Sequence, residues 1–242
     1  MQKDFEGRIA LVTGASRGIG YQIAKQLGAR GAHVIALART VGGLEDLDDE
    51  IKAAGGQTTL VPLDLTDYDA LDRLGGAIFE RWKKLDIFVG NAGVLGVLSP
   101  IGHIGPKDFD KVMSVNVTAN WRLIRSLDPL LRQSDAGRAL LLTSHQAQTC
   151  TPFWGLQAIS KAAVESMART WANESLKTAM KINLADPGPT RTGLRAKAMP
   201  GEAPENLPTP ELVAEDLLEL VRPEVFETGK LYDRVSREWM TF

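Results

Sequence analysis

The sequence predicts an α/β fold: a doubly wound, parallel sheet of about seven strands with helices on both faces. Three observations carry this. Short apolar runs rich in β-branched residues alternate with stretches whose apolar residues recur at helical spacing. The first such run passes through a glycine-rich turn directly into a helix. The chain has 242 residues, 44% hydrophobic and 24% charged, enough for one core of the larger α/β kind, so residues 1–242 are expected to form a single domain.

Ile9 to Thr13 is the first strand, and Ile19, Ile23 and Leu27 mark the helix after it. Gly14, Gly18 and Gly20 lie between strand and helix. A strand running through such a turn brings backbone N–H groups and a positive helix end to one point, which suits a pyrophosphate. Glycines there let backbone approach a ligand closely, although a tight turn needs them with no ligand at all. The spacing T-G-x-x-x-G-x-G is not that of the common G-x-G-x-x-G fingerprint. It resembles the short-chain dehydrogenase/reductase family, and the resemblance runs through nearly the whole chain. It implies a Rossmann-like fold, with Gly14, Ser16, Arg17, Gly18, Ile19 and Gly20 as the pyrophosphate cradle.

A second strand over 34–38 ends in Ala38-Arg39-Thr40. An NAD protein carries there an acid for the ribose 2′-hydroxyl. Arg39 follows instead, and Arg17 would lie close by. Two guanidiniums suit a 2′-phosphate, so NADP is expected over NAD, with NAD retained as a weaker cofactor. A helix through Leu44, Leu47 and Ile51 ends at Gly55-Gly56, and a strand over 58–63 leads into Asp64-Leu65. The resemblance gives Asp64, with Leu65 beside it, a contact to the adenine; on its own residues Asp64 reads equally as a turn or capping acid. The next helix carries Leu71, Leu74, Ile78 and Trp82. A strand over 87–89 closes on Asn91-Ala92-Gly93, the resembled family's N-A-G element, where backbone lies against the cofactor.

Residues 94–107 read as a loop, followed by a helix opened by Phe109, Val112 and Met113. Asn116 is by itself an ordinary helical asparagine; the resemblance makes it the residue that disturbs the helix and holds a proton-relaying water. The fifth strand, over 139–143, delivers Ser144 at the ligand-binding edge of the sheet. The sixth, over 181–185, leads to Pro187, Gly188, Thr190 and Thr192, which resemble the family's nicotinamide-packing loop. Residues 193–208 show little periodicity and are expected to be a mobile substrate lid. Thr209-Pro210 starts a final helix that Leu212, Val213, Leu217, Leu220 and Val221 bury, and residues 229–233 are expected to add an edge strand.

The resembled family uses Ser, then Tyr thirteen residues on, then Lys four further. Ser144 and Lys161 fit, but position 157 is Gln, and Tyr21, Tyr68 and Tyr232 lie out of register. In carbonyl reduction the Tyr supplies the proton and the Lys lowers its pKa. Gln157 can donate an N–H to a substrate oxygen but cannot release a proton. The catalytic set is therefore Asn116, Ser144, Gln157 and Lys161, and Lys161 also meets the ribose hydroxyls. His145 is the one neighbour that titrates near neutrality, but a strand neighbour of Ser144 should point away from it.

Net charge is −2, with no basic excess for nucleic acid and no membrane-length apolar run. MQKDFEGR lacks a signal region, which suggests a cytoplasmic protein. Cys150 is the sole cysteine, read as inert packing, and His33, His103 and His145 lack ligand spacing, so no metal is expected. Trp121, Leu123, Met167 and Trp171 suggest a homodimer or homotetramer through helices. Two readings stand: an NADP-dependent oxidoreductase for a small carbonyl or secondary alcohol, with activity impaired or altered by Gln157, and a catalytically silent NADP-binding protein.

Overall fold

The computed structural model describes residues 3–241. Its elements run β1 (Ile9–Thr13), α1 (Gly18–Ala29), β2 (His33–Ala38), α2 (Val41–Ala53), β3 (Gln57–Pro62), α3 (Tyr68–Trp82) and β4 (Ile87–Gly90). Then come α4 (Pro106–Met113), a π-helical turn (Ser114–Thr118), α5 (Ala119–Leu131), β5 (Arg138–Leu142), α6 (Gln146–Thr149) and α7 (Gly155–Glu174). The chain closes with β6 (Lys181–Asp186), α8 (Gly193–Ala198), α9 (Pro210–Leu218), β7 (Leu231–Asp233) and β8 (Glu238–Met240).

Among the described residues these strands form an 8-stranded sheet in the order β3-β2-β1-β4-β5-β6-β7-β8. All neighbours are parallel except β7 with β8. The chain reverses direction across the sheet at β1 and β4, so their C-terminal ends border the crevice in which such sheets bind ligands.

Side-chain alternation explains the two layers. Ala10 and Val12 of β1 join a core with Ile23 and Leu27 of α1, Leu44 and Leu47 of α2, and Val213 and Leu217 of α9. Ile9 and Leu11 face the other way, into a core with Leu71 of α3, Leu123 of α5 and Val164 of α7. A fully buried leucine such as Leu27 or Leu123 contributes about 1.5–3 kcal/mol.

Several expectations need correcting. Residues 229–233 do not end at a sheet edge, because β8 pairs antiparallel with β7, joining Tyr232 to Trp239. Leu212 is exposed, because the face of α9 that meets the core is the one carrying Val213, Ala214 and Leu217. Residues 193–208 hold more regular structure than their lack of periodicity suggests: Thr192 caps α8 by accepting from Arg195 N at 3.2 Å, and Arg195 grips Glu202 at 2.6 and 2.7 Å. Leu123 and Trp171 face the core, so of the four side chains expected at an interface only Trp121 is plainly exposed, with Met167 half-buried. Cys150 is exposed rather than packed. No helix among the described residues is long and apolar enough to cross a membrane.

Candidate active site

The glycine turn is built against β4. Thr13 ends β1, donates its hydroxyl to Val89 O at 3.3 Å, and accepts from the N–H groups of Asn91 and Ala92 at 3.1 Å each. Asn91 Nδ2 donates back to Thr13 O at 2.8 Å. A Cβ on Gly20 would sit 2.2 Å from Asn91 Nδ2, and one on Gly14, whose φ is +69°, would sit 2.7 Å from the same atom. These two glycines are therefore required by Asn91 before any ligand is considered. Arg17 is the N-cap of α1 with no side-chain cap bond, and the first turn holds no acid. The N–H groups of Gly18, Ile19 and Gly20 thus have no intrahelical acceptor and lie at the positive end of a 12-residue helix. Ser16 lies against the start of α2, where a Cβ on Gly43 would meet Ser16 O at 2.6 Å.

Arg17 and Arg39 are both exposed near the crevice. Arg39 reaches Asp64 at 3.5 Å. Asp64 Oδ1 accepts from Thr66 N at 2.9 Å and Thr66 Oγ1 at 2.8 Å, and these bonds with Arg39 hold its carboxyl below the usual range. Asp64 is a turn-forming acid here, and Leu65 beside it is buried. The cap of α3 is Asp67, which accepts from Ala70 N at 3.0 Å.

Beyond Gly93 the chain is gripped by two side-chain amides. Asn116 sits in the π turn, where the i→i+5 geometry rotates it out of helical register. Its Oδ1 accepts from Val94 N at 2.9 Å and its Nδ2 donates to Val94 O at 3.1 Å and to Ser160 Oγ at 3.1 Å. Its own carbonyl accepts from Asn120 Nδ2 at 2.7 Å. Gln157, buried on α7, donates from Nε2 to Val94 O at 2.7 Å and Leu95 O at 3.0 Å. Both amide protons are thus used, and the expected donation from Gln157 to a substrate oxygen does not fit this arrangement.

Ser144, half-buried, donates to Gln146 Oε1. Lys161 is buried and donates to Leu142 O at 2.7 Å. Burial pushes its ammonium down to about 8, opposed by Asp186 and Glu165. A Cβ on Gly93 would intrude between Asn116 Oδ1, 3.3 Å away, and Lys161 Nζ, 3.8 Å away. The space over Gly93 is therefore open toward the lysine. His145 lies past the end of β5 and is exposed, so strand alternation does not govern where it points. Pro187, Gly188 and Thr190 follow β6, with Thr190 Oγ1 on Gly188 O at 3.1 Å. Thr192 faces Gly18, 3.5 Å from a Cβ placed there, and spends its hydroxyl as the α8 cap.

The chemistry-bearing residues thus gather where β1, β4, β5 and β6 end: a glycine turn with free helix N–H groups, a small-residue strip at 91–93, a buried lysine and a serine. The model of the short chain dehydrogenase family matches residues 8–203. The chain belongs to the short-chain dehydrogenase family. The oxidoreductase YciK of Escherichia coli strain K12, itself uncharacterized, is 37% identical over 206 residues, 84% of this chain and 81% of that one. The solved structure of the E. coli oxidoreductase yciK superposes with a TM-score of 0.91 at 36% identity, covering 96% of this chain and 97% of that one. A Shigella flexneri 2a str. 301 protein assigned to the short chain dehydrogenases and complexed with NADP gives 0.91 at 34% identity, covering 96% and 99%.

Sequence reasoning missed Gln146, Glu165 and Asp186. Glu165 had a signal: an acid one helical turn after Lys161, between the apolar residues Val164 and Ala168. Asp186 ends an apolar strand, where an acid is unusual.

Proposed function

We propose that the chain is an NADP-binding short-chain oxidoreductase that interconverts a small carbonyl and a secondary alcohol. The α1 N-terminus fits a pyrophosphate: its three N–H groups lack acceptors, and Gly18 lies open save for Thr192. Arg17 and Arg39 fit a 2′-phosphate, with Arg39 exchanging its loose contact to Asp64 for a doubly charged partner. Asp64 is assigned to the adenine side of this site by position, and the strip 91–93 to backbone contact along the cofactor. Lys161 commits one of its N–H groups to Leu142 O and has two left for ribose hydroxyls over Gly93. The NADP bound by the similar Shigella protein supports the same choice. When bound, this cofactor supplies the hydride. Ser144 would orient the substrate oxygen.

The observation that limits the reading is the double donation of Gln157 to Val94 O and Leu95 O. The residue at the acid's position ties a loop and moves no proton, so the proton for the product alcohol would come from water or from another group such as His145. A positioned acid is worth about 10² to 10⁴ in rate, and turnover should be slow by that margin. The same observation favours a second reading, a silent NADP-binding protein acting as a sensor or subunit partner. NADPH binding followed by fluorescence, beside NADPH consumption over a panel of aldehydes and ketones, separates them. Binding with slow turnover of some carbonyl supports the oxidoreductase; binding with none across the panel supports the silent protein.

A further inference from the structure

We propose that Glu165 and Asp186 are positioning residues that brace the two sides of the Ser144 turn and hold Lys161 as a cation. This inference rests on the cofactor reading above.

The brace is built from consecutive residues of one turn. Lys161 and Glu165 lie one turn apart on α7 and share a face. Lys161 holds Leu142 O, and the buried Glu165 Oε1 accepts from Thr143 Oγ1 and, at 2.5 Å, from Gln148 Nε2 of α6. Glu165 therefore grips the residue before Ser144 and the short helix after it. From the opposite side, β6 runs in register with β5, Leu142 against Ala185, and Thr143 N donates to Ala185 O at 2.8 Å. The next residue, Asp186, is buried, and the neighbouring His145 favours its charged form. It also accepts from Gly188 N at 3.0 Å, tying the loop after β6 to the same point. Residues 142 and 143 are thus each held by an ionisable side chain, and Asp186 stands beside the residue that follows Ser144.

Hydrogen bonding alone would not require charge. A buried glutamine at 165 or asparagine at 186 could accept the same bonds without the cost of burying a carboxylate. What the charges add is a field at Lys161, which burial otherwise drives toward the neutral amine. Glu165 faces it from its own helix and Asp186 from β6. Asp186 in turn faces Asp233 of β7 and His145, and Glu165 faces Arg169. Burial raises the pKa of both acids; the bonds from Thr143 and Gln148 and the charge of Arg169 favour the Glu165 anion against Asp186, and Gly188 N and His145 favour the Asp186 anion against Asp233.

The test uses the intact protein and NADPH as the probe, with affinity measured by fluorescence from neutral to alkaline pH. Affinity in the wild type should fall through a step near pH 8 as Lys161 loses its proton, and Lys161→Ala should abolish that step. Glu165→Gln and Asp186→Asn keep the shape and the acceptors but remove the charge. Each should move the step toward lower pH by about 1 pH unit. Thr143→Val breaks a brace bond and leaves the charges in place, so its step should stay where the wild type has it. A step unmoved by both neutralising variants overturns the inference and leaves the cofactor reading intact. A wild type whose affinity shows no step that Lys161→Ala removes overturns it as well, without recourse to the acid variants. No binding of NADPH at any pH overturns the cofactor reading and the inference with it.

Discussion

Gln157 Nε2 donates to Val94 O at 2.7 Å and to Leu95 O at 3.0 Å, so both protons of one amide close on two successive carbonyls. Asn116 grips the same residue from the π turn, and Val94 O receives one bond from each amide. The carbonyl's two lone pairs are filled, and the loop leaving the 91–93 strip is fixed where it enters the crevice. A phenol at position 157 has one O–H and could not make both contacts. The chain holds a rigid tie at the place where the family resemblance puts a proton donor.

Gln157→Tyr should raise carbonyl reduction by about 10²-fold or more, with NADPH affinity nearly unchanged. It should also lower stability by about 1–3 kcal/mol, because two bonds to buried backbone are lost. Asn116 keeps Val94 in place, so the fold should survive. Adding Lys161→Ala should remove most of the gain. If the wild type already turns over fast and the tyrosine changes nothing, another group carries the proton; His145→Ala then separates the histidine from a relay through water.

NADPH should bind tighter than NADH, and Arg39→Ala should shrink the difference by about tenfold, the worth of one charge-assisted contact at an exposed site. Loss of Arg39 also frees Asp64, whose carboxylate would then face the 2′-phosphate unscreened. The preference should weaken as salt rises, because both arginines are exposed. Equal wild-type affinities for the two cofactors would sink the assignment.

The sheet was legible because strands buried on both faces read as apolar runs, and β1 and β6 fall within a residue of where the sequence places them. The glycine turn was legible for the same reason as its function: Gly14 and Gly20 leave no room for a Cβ. β8 was not, since Glu238, Trp239 and Met240 form a short edge strand with no apolar run. The order of residues 193–208 was hidden because it comes from Arg195 pairing with Glu202, seven residues apart across a turn, and not from periodicity. Position 157 showed which residue was missing, but the use of its replacement depended on where Val94 and Leu95 lie, 63 and 62 residues earlier in the chain.

Trp121 supplies a test of assembly. It is 47% exposed on α5, with the guanidiniums of Arg122 and Arg125 at 5.6 and 6.0 Å from its ring. A second copy of the chain covering this face would bury the ring. Light scattering at micromolar concentration should give a mass of two or four chains of 26.3 kDa, and Trp121→Asp should shift it toward one. A wild-type mass of a single chain would end this expectation.

Lys161 links stability to pH with a definite sign. Its folded pKa lies near 8 against 10.5 as the reference for the unfolded chain, with burial as the leading cause. Below about pH 8 the lysine is charged in both states, and the fold bears the full cost of burying that charge. Between about 8 and 10.5 the unfolded chain holds the proton more tightly, so this group's contribution to stability rises with pH. Above 10.5 the cost is gone. The span corresponds to about 3 kcal/mol at most. Lys161→Met has no proton to lose at this position. Melting temperatures of wild type and variant, compared at steps through the window, should therefore diverge in favour of the wild type as pH rises. Parallel curves would mean that Lys161 is not held at a depressed pKa, and that water reaches its ammonium in solution.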